Sequence, residues 1–324
     1  MEYNVLVTPR SFAQWDRQPL DYLEQAGCRV ERNPRRRPYT EEELIAAIGE
    51  ADGLLVGIDP VTEKVMAAAP RLKVISKYGA GVDNIDLEAA TRRGIVVTYT
   101  PGANSEAVAD LTFGLMLAAG RLIVNAHCSV REGNWDRFLG VDLYGRTLGI
   151  VGTGKIGRAV ARRARGFDMK VLAFTRNPDY EWAKSCGVTY TDLDNLLRES
   201  DFVSVHMALT PQTRNLINAQ KLALMKPTSV IVNTARGGII DEEALADALE
   251  KGIIFGAALD VYTEEPVKNE RLLKLDRLVT TPHIAAYSRG ALNQMGMEAA
   301  DNLLRVLRQE KPEPANLVNP EVFS

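Results

Sequence analysis

The chain contains only three histidines, His127, His206 and His283, and that scarcity narrows the search for a group that moves a proton near neutral pH. His127 falls in an apolar, helix-like stretch and reads as structural. His206 ends a strand-like run, where it lines a cleft or satisfies backbone groups. His283, in Thr281-Pro282-His283-Ile284-Ala285, follows the short run Leu278-Val279-Thr280. If that run is a strand, His283 stands at its C-terminal end, where open α/β sheets bind their ligands. Three other segments follow strand-like runs in the same way: Lys77-Tyr78-Gly79-Ala80-Gly81-Val82-Asp83, Asn233-Thr234-Ala235-Arg236-Gly237-Gly238 and Asp260-Val261-Tyr262-Thr263-Glu264-Glu265-Pro266. Glycines beside Arg236 leave room for a ligand against its guanidinium. Gly79 and Gly81 expose backbone N–H groups able to hold a carboxylate.

A fifth segment points to the chemistry these groups would serve. Leu148-Gly149-Ile150-Val151 leads into Gly152-Thr153-Gly154-Lys155-Ile156-Gly157, and a helix-like stretch follows. This is the Gly-x-Gly-x-x-Gly turn of a dinucleotide-binding βα unit. Gly152 permits the tight turn, Gly154 lets backbone approach a pyrophosphate, and Gly157 lets helix and strand pack closely. The helix N-terminus presents N–H groups and a positive dipole end to phosphate. About 20 residues on, an acid usually bonds the adenosine ribose of NAD. Here the sequence reads Phe174-Thr175-Arg176-Asn177, with no acid. A neutral residue followed by a guanidinium suits a ribose 2′-phosphate, which tilts the expectation between NAD and NADP toward NADP.

The elements that must position these residues alternate. In the first hundred residues, strands are predicted at Val5–Thr8, Arg29–Glu31, Gly53–Val56, Leu72–Ser76 and Ile95–Val97. Helices are predicted at Leu20–Ala26, Thr62–Ala69 and Leu87–Arg93, with another opened by the capping-box pattern Thr40-x-x-Glu43. Later strands are predicted at Lys170–Phe174, Phe202–His206, Ser229–Asn233, Gly256–Asp260 and Leu278–Thr280, and a last helix at about Gly290–Arg308. This rhythm predicts parallel sheets covered by helices on both faces. Glu106–Asn125 reads as one long apolar helix, packed between domains or subunits. The basic, proline-containing stretch Arg32–Pro38 reads as a solvated loop.

Bulk properties exclude several classes. With 324 residues, 46% hydrophobic and 25% charged, the chain has ordinary globular composition and the length of about two domains. A net charge of −3 argues against nucleic acid or an anionic membrane as the main partner. Cys28, Cys128 and Cys186 form neither a disulfide framework nor a metal pattern, and read as buried and inert in a cytoplasmic protein. No metal site is expected.

The segments together resemble the D-isomer-specific 2-hydroxyacid dehydrogenase family, which includes 3-phosphoglycerate dehydrogenase and the glyoxylate/hydroxypyruvate reductases. The matching pieces are Tyr78-Gly-Ala-Gly-Val-Asp-Asn-Ile-Asp86, the glycine fingerprint, Asn233-Thr-Ala-Arg-Gly237, Asp260-Val-Tyr-Thr-Glu-Glu-Pro266 and Thr281-Pro-His-Ile284, in that order along the chain. The resemblance implies a Rossmann cofactor domain, 101–286, inserted into a flavodoxin-like substrate domain made of 1–100 and 287–324. It implies His283 as acid–base group, Glu265 as its partner, and Arg236 as the clamp on the substrate carboxylate. Lys77, Gly79, Ala80 and Gly81 would bind substrate. Gly152, Gly154, Lys155, Ile156, Gly157, Thr175, Arg176, Ala208, Thr234, Ala235 and Asp260 would bind NAD or NADP, with Asp260 on the nicotinamide carboxamide. A homodimer is expected, built around the helix from Glu106 and the region of Trp135.

The implied activity is interconversion of a 2-oxo acid and a D-2-hydroxy acid. Within the family, 3-phosphoglycerate specificity is the first alternative. Against it, the loop Gly57-Ile58-Asp59-Pro60 offers an acid where the phosphoglycerate branch often carries an arginine. A non-enzymatic, NAD(H)-sensing corepressor is the second alternative.

Overall fold

A computed structural model describes residues 2–35 and 37–323, and the chain divides into two compact units, Met1–Asn104 with Tyr287–Ser324, and Ser105–Ala286. Of the basic stretch Arg32–Pro38, Arg36 lies outside the described residues; Arg35 and Arg37 both pair with Glu43.

The first unit is built on β1 (Tyr3–Val7), β2 (Cys28–Arg32), β3 (Gly53–Val56), β4 (Val74–Lys77) and β5 (Val96–Thr98), paired in the order β2-β1-β3-β4-β5 with every ladder parallel. This is the flavodoxin-like order. Leu54, Leu55 and Val56 are all fully buried, as a parallel strand covered on both faces requires. The capping box forms: Thr40 Oγ1 accepts from Glu43 N–H, and Glu43 Oε2 accepts from Thr40 N–H. The late helix Arg289–Leu307 lies on this sheet, with Ser76 Oγ donating to Ala299 O at 2.8 Å. The C-terminal tail is pinned to β5 by Asn319, whose Oδ1 takes the Val97 N–H at 2.7 Å and whose Nδ2 donates to Ile95 O at 2.9 Å.

The second unit carries β6 (Thr147–Val151), β7 (Lys170–Phe174), β8 (Val188–Tyr190), β9 (Phe202–Val205), β10 (Val230–Asn233), β11 (Gly256–Leu259) and β12 (Leu278–Thr280). Their order is β12-β11-β10-β9-β6-β7-β8, again all parallel. Strand order reverses between β6 and β9, and such a switch point is where an open α/β sheet opens a crevice for ligand. Both units are thus parallel-sheet α/β structures, as the sequence predicts.

The expected long helix does not form. The chain makes two helices, Ser105–Gly120 and Ile123–Arg131, bent by 64°. The break has a local cause. The Gly120 carbonyl accepts the N–H of Val141 at 2.8 Å rather than continuing the helix, and Leu122 turns left-handed with φ 52°. The apolar surface of Ser105–Gly120 is satisfied inside its own unit, where Ala109, Phe113, Met116 and Ala119 join Leu148, Val160, Phe202 and Val232 in one core. No single helix among the described residues is long and apolar enough to cross a membrane. The cysteines also differ from expectation: all three are free, but only Cys28 is buried, and Cys128 is exposed because it falls on the outward-facing helix Ile123–Arg131.

Candidate active site

Three loops at the C-terminal ends of β10, β11 and β12 assemble around one histidine. His283 Nδ1 lies 2.7 Å from Glu265 Oε2. The other Glu265 oxygen accepts the Tyr262 N–H at 3.1 Å. Burial pushes the Glu265 carboxyl up, but the His283 contact, the Tyr262 N–H and the nearby Arg236 charge outweigh it, and the net shift is downward. Glu265 is therefore a carboxylate at neutral pH. The contact also fixes the ring, leaving Nε2 without a partner among the described residues.

The loop that carries His283 is held by Asp260, which is fully buried at the end of β11. Asp260 Oδ1 accepts from Thr281 Oγ1 at 2.6 Å and Ile284 N–H at 2.8 Å, and Oδ2 accepts from Ala285 N–H at 2.9 Å. The Asp260 carbonyl takes the His283 N–H at 2.9 Å. His283 adopts φ 54°, a left-handed conformation uncommon outside glycine, and this grip stabilises it. The buried Tyr262 hydroxyl ties Leu259 O to Thr281 O, each at 3.0 Å, and burial raises its pKa to about 12.

Arg236 comes from the loop after β10. Asn233, almost fully buried, shapes that loop by donating to Arg236 O at 2.8 Å and accepting from Ala235 N–H at 3.0 Å. Gly237 is needed because a Cβ there would lie 1.9 Å from the Tyr262 carbonyl. That close backbone approach brings the Arg236 and Glu265 loops together.

The glycine turn fits a dinucleotide. A Cβ on Gly152 would lie 2.4 Å from His206 O, and one on Gly157 would lie 2.0 Å from Gly152 O, so both positions exclude a side chain. At Gly154 nothing lies within 4 Å. Gly154 is also the N-cap of the helix Lys155–Ala164 and supplies no side-chain cap, which suits a helix N-terminus that faces an anion. Beside the turn, His206 Nε2 pairs with Ser204 Oγ at 2.6 Å, while Nδ1 is buried without a hydrogen-bond partner. Burial drives the His206 pKa down to about 3, so this ring is neutral.

The remaining sequence-predicted residues fall as follows. Thr234 is buried and shares a hydrogen bond with Thr112; Ala235 is half-buried, and Ala208 is exposed, its carbonyl accepting from Thr213 Oγ1. Thr175 lines a cavity of about 210 Å³ with Phe174, Pro178, Tyr180, Tyr190 and Thr191. Arg176 is exposed and makes no ion pair among the described residues. Lys155 is exposed and Ile156 half-buried on the helix that follows the turn. His127 is exposed on Ile123–Arg131 rather than packed.

In the first unit, Gly79 adopts φ 132°, but its N–H is taken by Thr100 Oγ1 at 3.0 Å. Ala80 and Gly81 N–H groups have no partner among the described residues. Lys77 does not present its amine on that loop's surface: it is only 5% exposed, and Nζ binds Gly57 O and, at 2.8 Å, Asn84 Oδ1. The grip of Asp260 on the His283 loop and the role of Asn233 were not found from sequence. An Asp or Asn at the last position of a strand, before a functional loop, was the available signal.

A sequence model described as D-isomer specific 2-hydroxyacid dehydrogenase, NAD binding domain, matches residues 113–285. A glyoxylate reductase of Thermococcus litoralis is 44% identical over 291 residues, covering 87% of each chain. A D-3-phosphoglycerate dehydrogenase of Methanocaldococcus jannaschii is 47% identical over 284 residues, covering 86% of this chain but 54% of that protein. The crystal structure of D-lactate dehydrogenase from Aquifex aeolicus, complexed with NAD and lactic acid, superposes with a TM-score of 0.83 at 31% identity, covering 97% of this chain and 99% of that one. With the fingerprint turn and the histidine–carboxylate pair in place, the chain belongs to the D-isomer specific 2-hydroxyacid dehydrogenase family, oxidoreductases that act on CH–OH donors with a nicotinamide dinucleotide.

Proposed function

We propose that the protein interconverts a small 2-oxo acid and the corresponding D-2-hydroxy acid, with His283, Glu265 and Arg236 as its catalytic set. The observation that carries this reading is the 2.7 Å contact between His283 Nδ1 and Glu265 Oε2. It leaves Nε2 to work on a substrate oxygen. In reduction the imidazolium donates its Nε2 proton to the carbonyl oxygen; in oxidation the neutral ring takes the hydroxyl proton. Arg236 pairs with the carboxylate and polarises the carbonyl, stabilising charge that grows in the transition state. The nicotinamide, when bound, supplies or accepts the hydride. In the first unit, the Ala80 and Gly81 N–H groups are the donors we assign to anion binding, and Lys77 supports that loop from within.

Glyoxylate, or an acid of similar size, is favoured over a phosphorylated substrate. Two observations support this. Among the similar proteins, glyoxylate reductases such as that of Thermococcus litoralis outnumber the phosphoglycerate dehydrogenase. In the loop after β3, Asp59 is 1% exposed and accepts from Thr8 Oγ1 and Tyr39 N–H, so it is committed to the fold and does not itself repel a phosphate; what counts is that the loop Gly57-Ile58-Asp59-Pro60 offers no cation to bind one. For the cofactor, the family description favours NAD. The case for NADP rests on Thr175 and on Arg176, a guanidinium with no ion-pair partner among the described residues. We also assign a homodimer, formed through Ile123, Val124, Val130, Trp135 and Leu139, all of them exposed apolar side chains on one stretch of chain. A cytoplasmic location belongs to the same proposal.

The deciding experiment assays NADH and NADPH separately with glyoxylate, hydroxypyruvate, pyruvate, phenylpyruvate and 3-phosphohydroxypyruvate. The expected result is the highest kcat/KM with a small unphosphorylated acid. Absence of oxidation with every acid overturns the enzymatic reading. A much higher kcat/KM with NADH than with NADPH overturns the role given to Arg176. Light scattering on the eluting protein reads the dimer.

A further inference from the structure

Thr153, the middle residue of the glycine turn, is held at two points by side chains that the turn itself does not require. Arg158 Nε donates to its carbonyl at 3.2 Å, and its Oγ1 lies 3.1 Å from the Tyr190 hydroxyl. Both holders converge on Asp179. Arg158 Nη2 pairs with Asp179 Oδ2 at 2.8 Å, and the Asp179 N–H donates to the Tyr190 hydroxyl at 3.3 Å. Asp179 also caps the helix Tyr180–Cys186 by accepting from Trp182 N–H at 3.0 Å. Its pKa is lowered, first by that backbone N–H and then by Arg158, so it is ionised at neutral pH. The Arg158 guanidinium lies 4.7 Å from the centre of the Trp182 ring. An arginine in the first turns of a helix opposes the helix dipole. Its presence there, locked to an acid on another loop, calls for a reason other than helix stability.

The loop that Asp179 closes is 175–179, and it begins with Thr175 and Arg176. Thr175, Pro178 and Tyr190 all line the 210 Å³ cavity at the ends of β7 and β8. We propose that Arg158, Asp179 and Tyr190 act as a latch that fixes loop 175–179 against the glycine turn, and so sets the affinity for the adenosine half of the dinucleotide. They are positioning residues and need not touch the nucleotide. The inference rests on the dinucleotide reading of the turn, but not on the choice of acid substrate or of NAD against NADP.

The geometry supplies variants that separate this role from folding. Asp179→Asn keeps a good N-cap and the backbone N–H to Tyr190, but removes the charge that holds Arg158. Tyr190→Phe keeps the ring against Tyr180 and Trp182, 5.5 and 6.5 Å away between centroids, but removes the bridging hydroxyl. The ion pair is about 40% exposed on each side, so its loss should move the melting temperature little. Fluorescence titration with NADH, ADP-ribose and reduced nicotinamide mononucleotide reads the two halves of the cofactor separately. The expected result is a rise of about tenfold in Kd for NADH and ADP-ribose in Asp179→Asn, and a smaller rise in Tyr190→Phe. The mononucleotide Kd and kcat at saturating NADH should stay near wild type. Wild-type ADP-ribose affinity in both variants overturns the latch. So does equal weakening of all three ligands with a falling melting temperature, which marks general loosening. If the wild-type protein binds neither NADH nor ADP-ribose, the dinucleotide reading beneath it fails instead.

Discussion

Asp260 and His283 are joined through the backbone: the His283 N–H donates to the Asp260 carbonyl at 2.9 Å, while the Asp260 carboxylate grips Thr281, Ile284 and Ala285 around it. This acid is buried and is satisfied by three donors, two of them backbone N–H groups. Asp260→Ala strands those donors. A buried donor left unpaired costs about 1–3 kcal/mol, so a loss of roughly 2–4 kcal/mol is expected. For a unit of this size that is a fall of about 5–15 °C in melting temperature. kcat should fall with it, because the left-handed His283 loses its support. An unchanged melting curve in calorimetry would show that the carboxylate is not what holds the loop.

The same histidine carries a kinetic prediction. Glu265 has a lowered pKa despite its burial, mainly through His283, so it keeps its charge through neutral and mildly acid pH. Glu265→Gln removes that charge from beside the ring that moves the proton, so kcat/KM should fall. His283→Ala should lower kcat by about 10²–10⁴ with NADH binding nearly kept. A wild-type kcat/KM in Glu265→Gln would leave this carboxylate without a part in the proton transfer.

His206 carries the pH prediction. Burial depresses its folded pKa to about 3, from an unfolded value near 6.5. Between these values the unfolded chain binds the extra proton, so stability rises with pH across that window and is lost as pH falls below about 6.5. His206→Gln, which keeps hydrogen-bonding capacity without a titrating ring, should flatten this slope in urea melts run from pH 7 to pH 4. A slope as steep as that of wild type would place the acid sensitivity elsewhere.

Much of the fold and of this site was legible in the sequence because their signals are local. The glycine turn, the Thr40 capping box and the short strands ending at Phe174, Asn233 and Thr280 each declare themselves within a few residues. What was not legible depends on contacts between distant segments. The helix from Ser105 ends at Gly120 because Val141, some twenty residues on, takes its carbonyl. Gly79 looks like a free donor until Thr100 claims its N–H. Lys77 sits in a loop that invites a surface role, yet the Gly57 carbonyl and Asn84 draw its amine inward. Asp179 reads as an ordinary helix cap; only the fold brings Arg158 and Tyr190 to it.

The fingerprint glycines offer the cleanest separation of folding from binding. A Cβ at Gly157 would sit 2.0 Å from the Gly152 carbonyl, where backbone must move to make room. Gly157→Ala should therefore lower the melting temperature and dinucleotide affinity together. At Gly154 the backbone has φ −68° and nothing lies within 4 Å, so Gly154→Ala has neither strain nor collision in the free protein. A methyl there occupies the space through which a pyrophosphate approaches the helix N-terminus. The expected outcome is a wild-type melting curve with NADH affinity weakened by tenfold or more, about 1.4 kcal/mol. Phosphate-free ligands, such as the 2-oxo acid or an oxamate-type analogue, should keep their affinity at saturating NADH, because β9 stands between β6, which leads into the turn, and the strands β10 and β12 that lead to Arg236 and His283. Equal NADH affinity in Gly154→Ala and wild type would mean that the open face of the turn is not where the pyrophosphate lies.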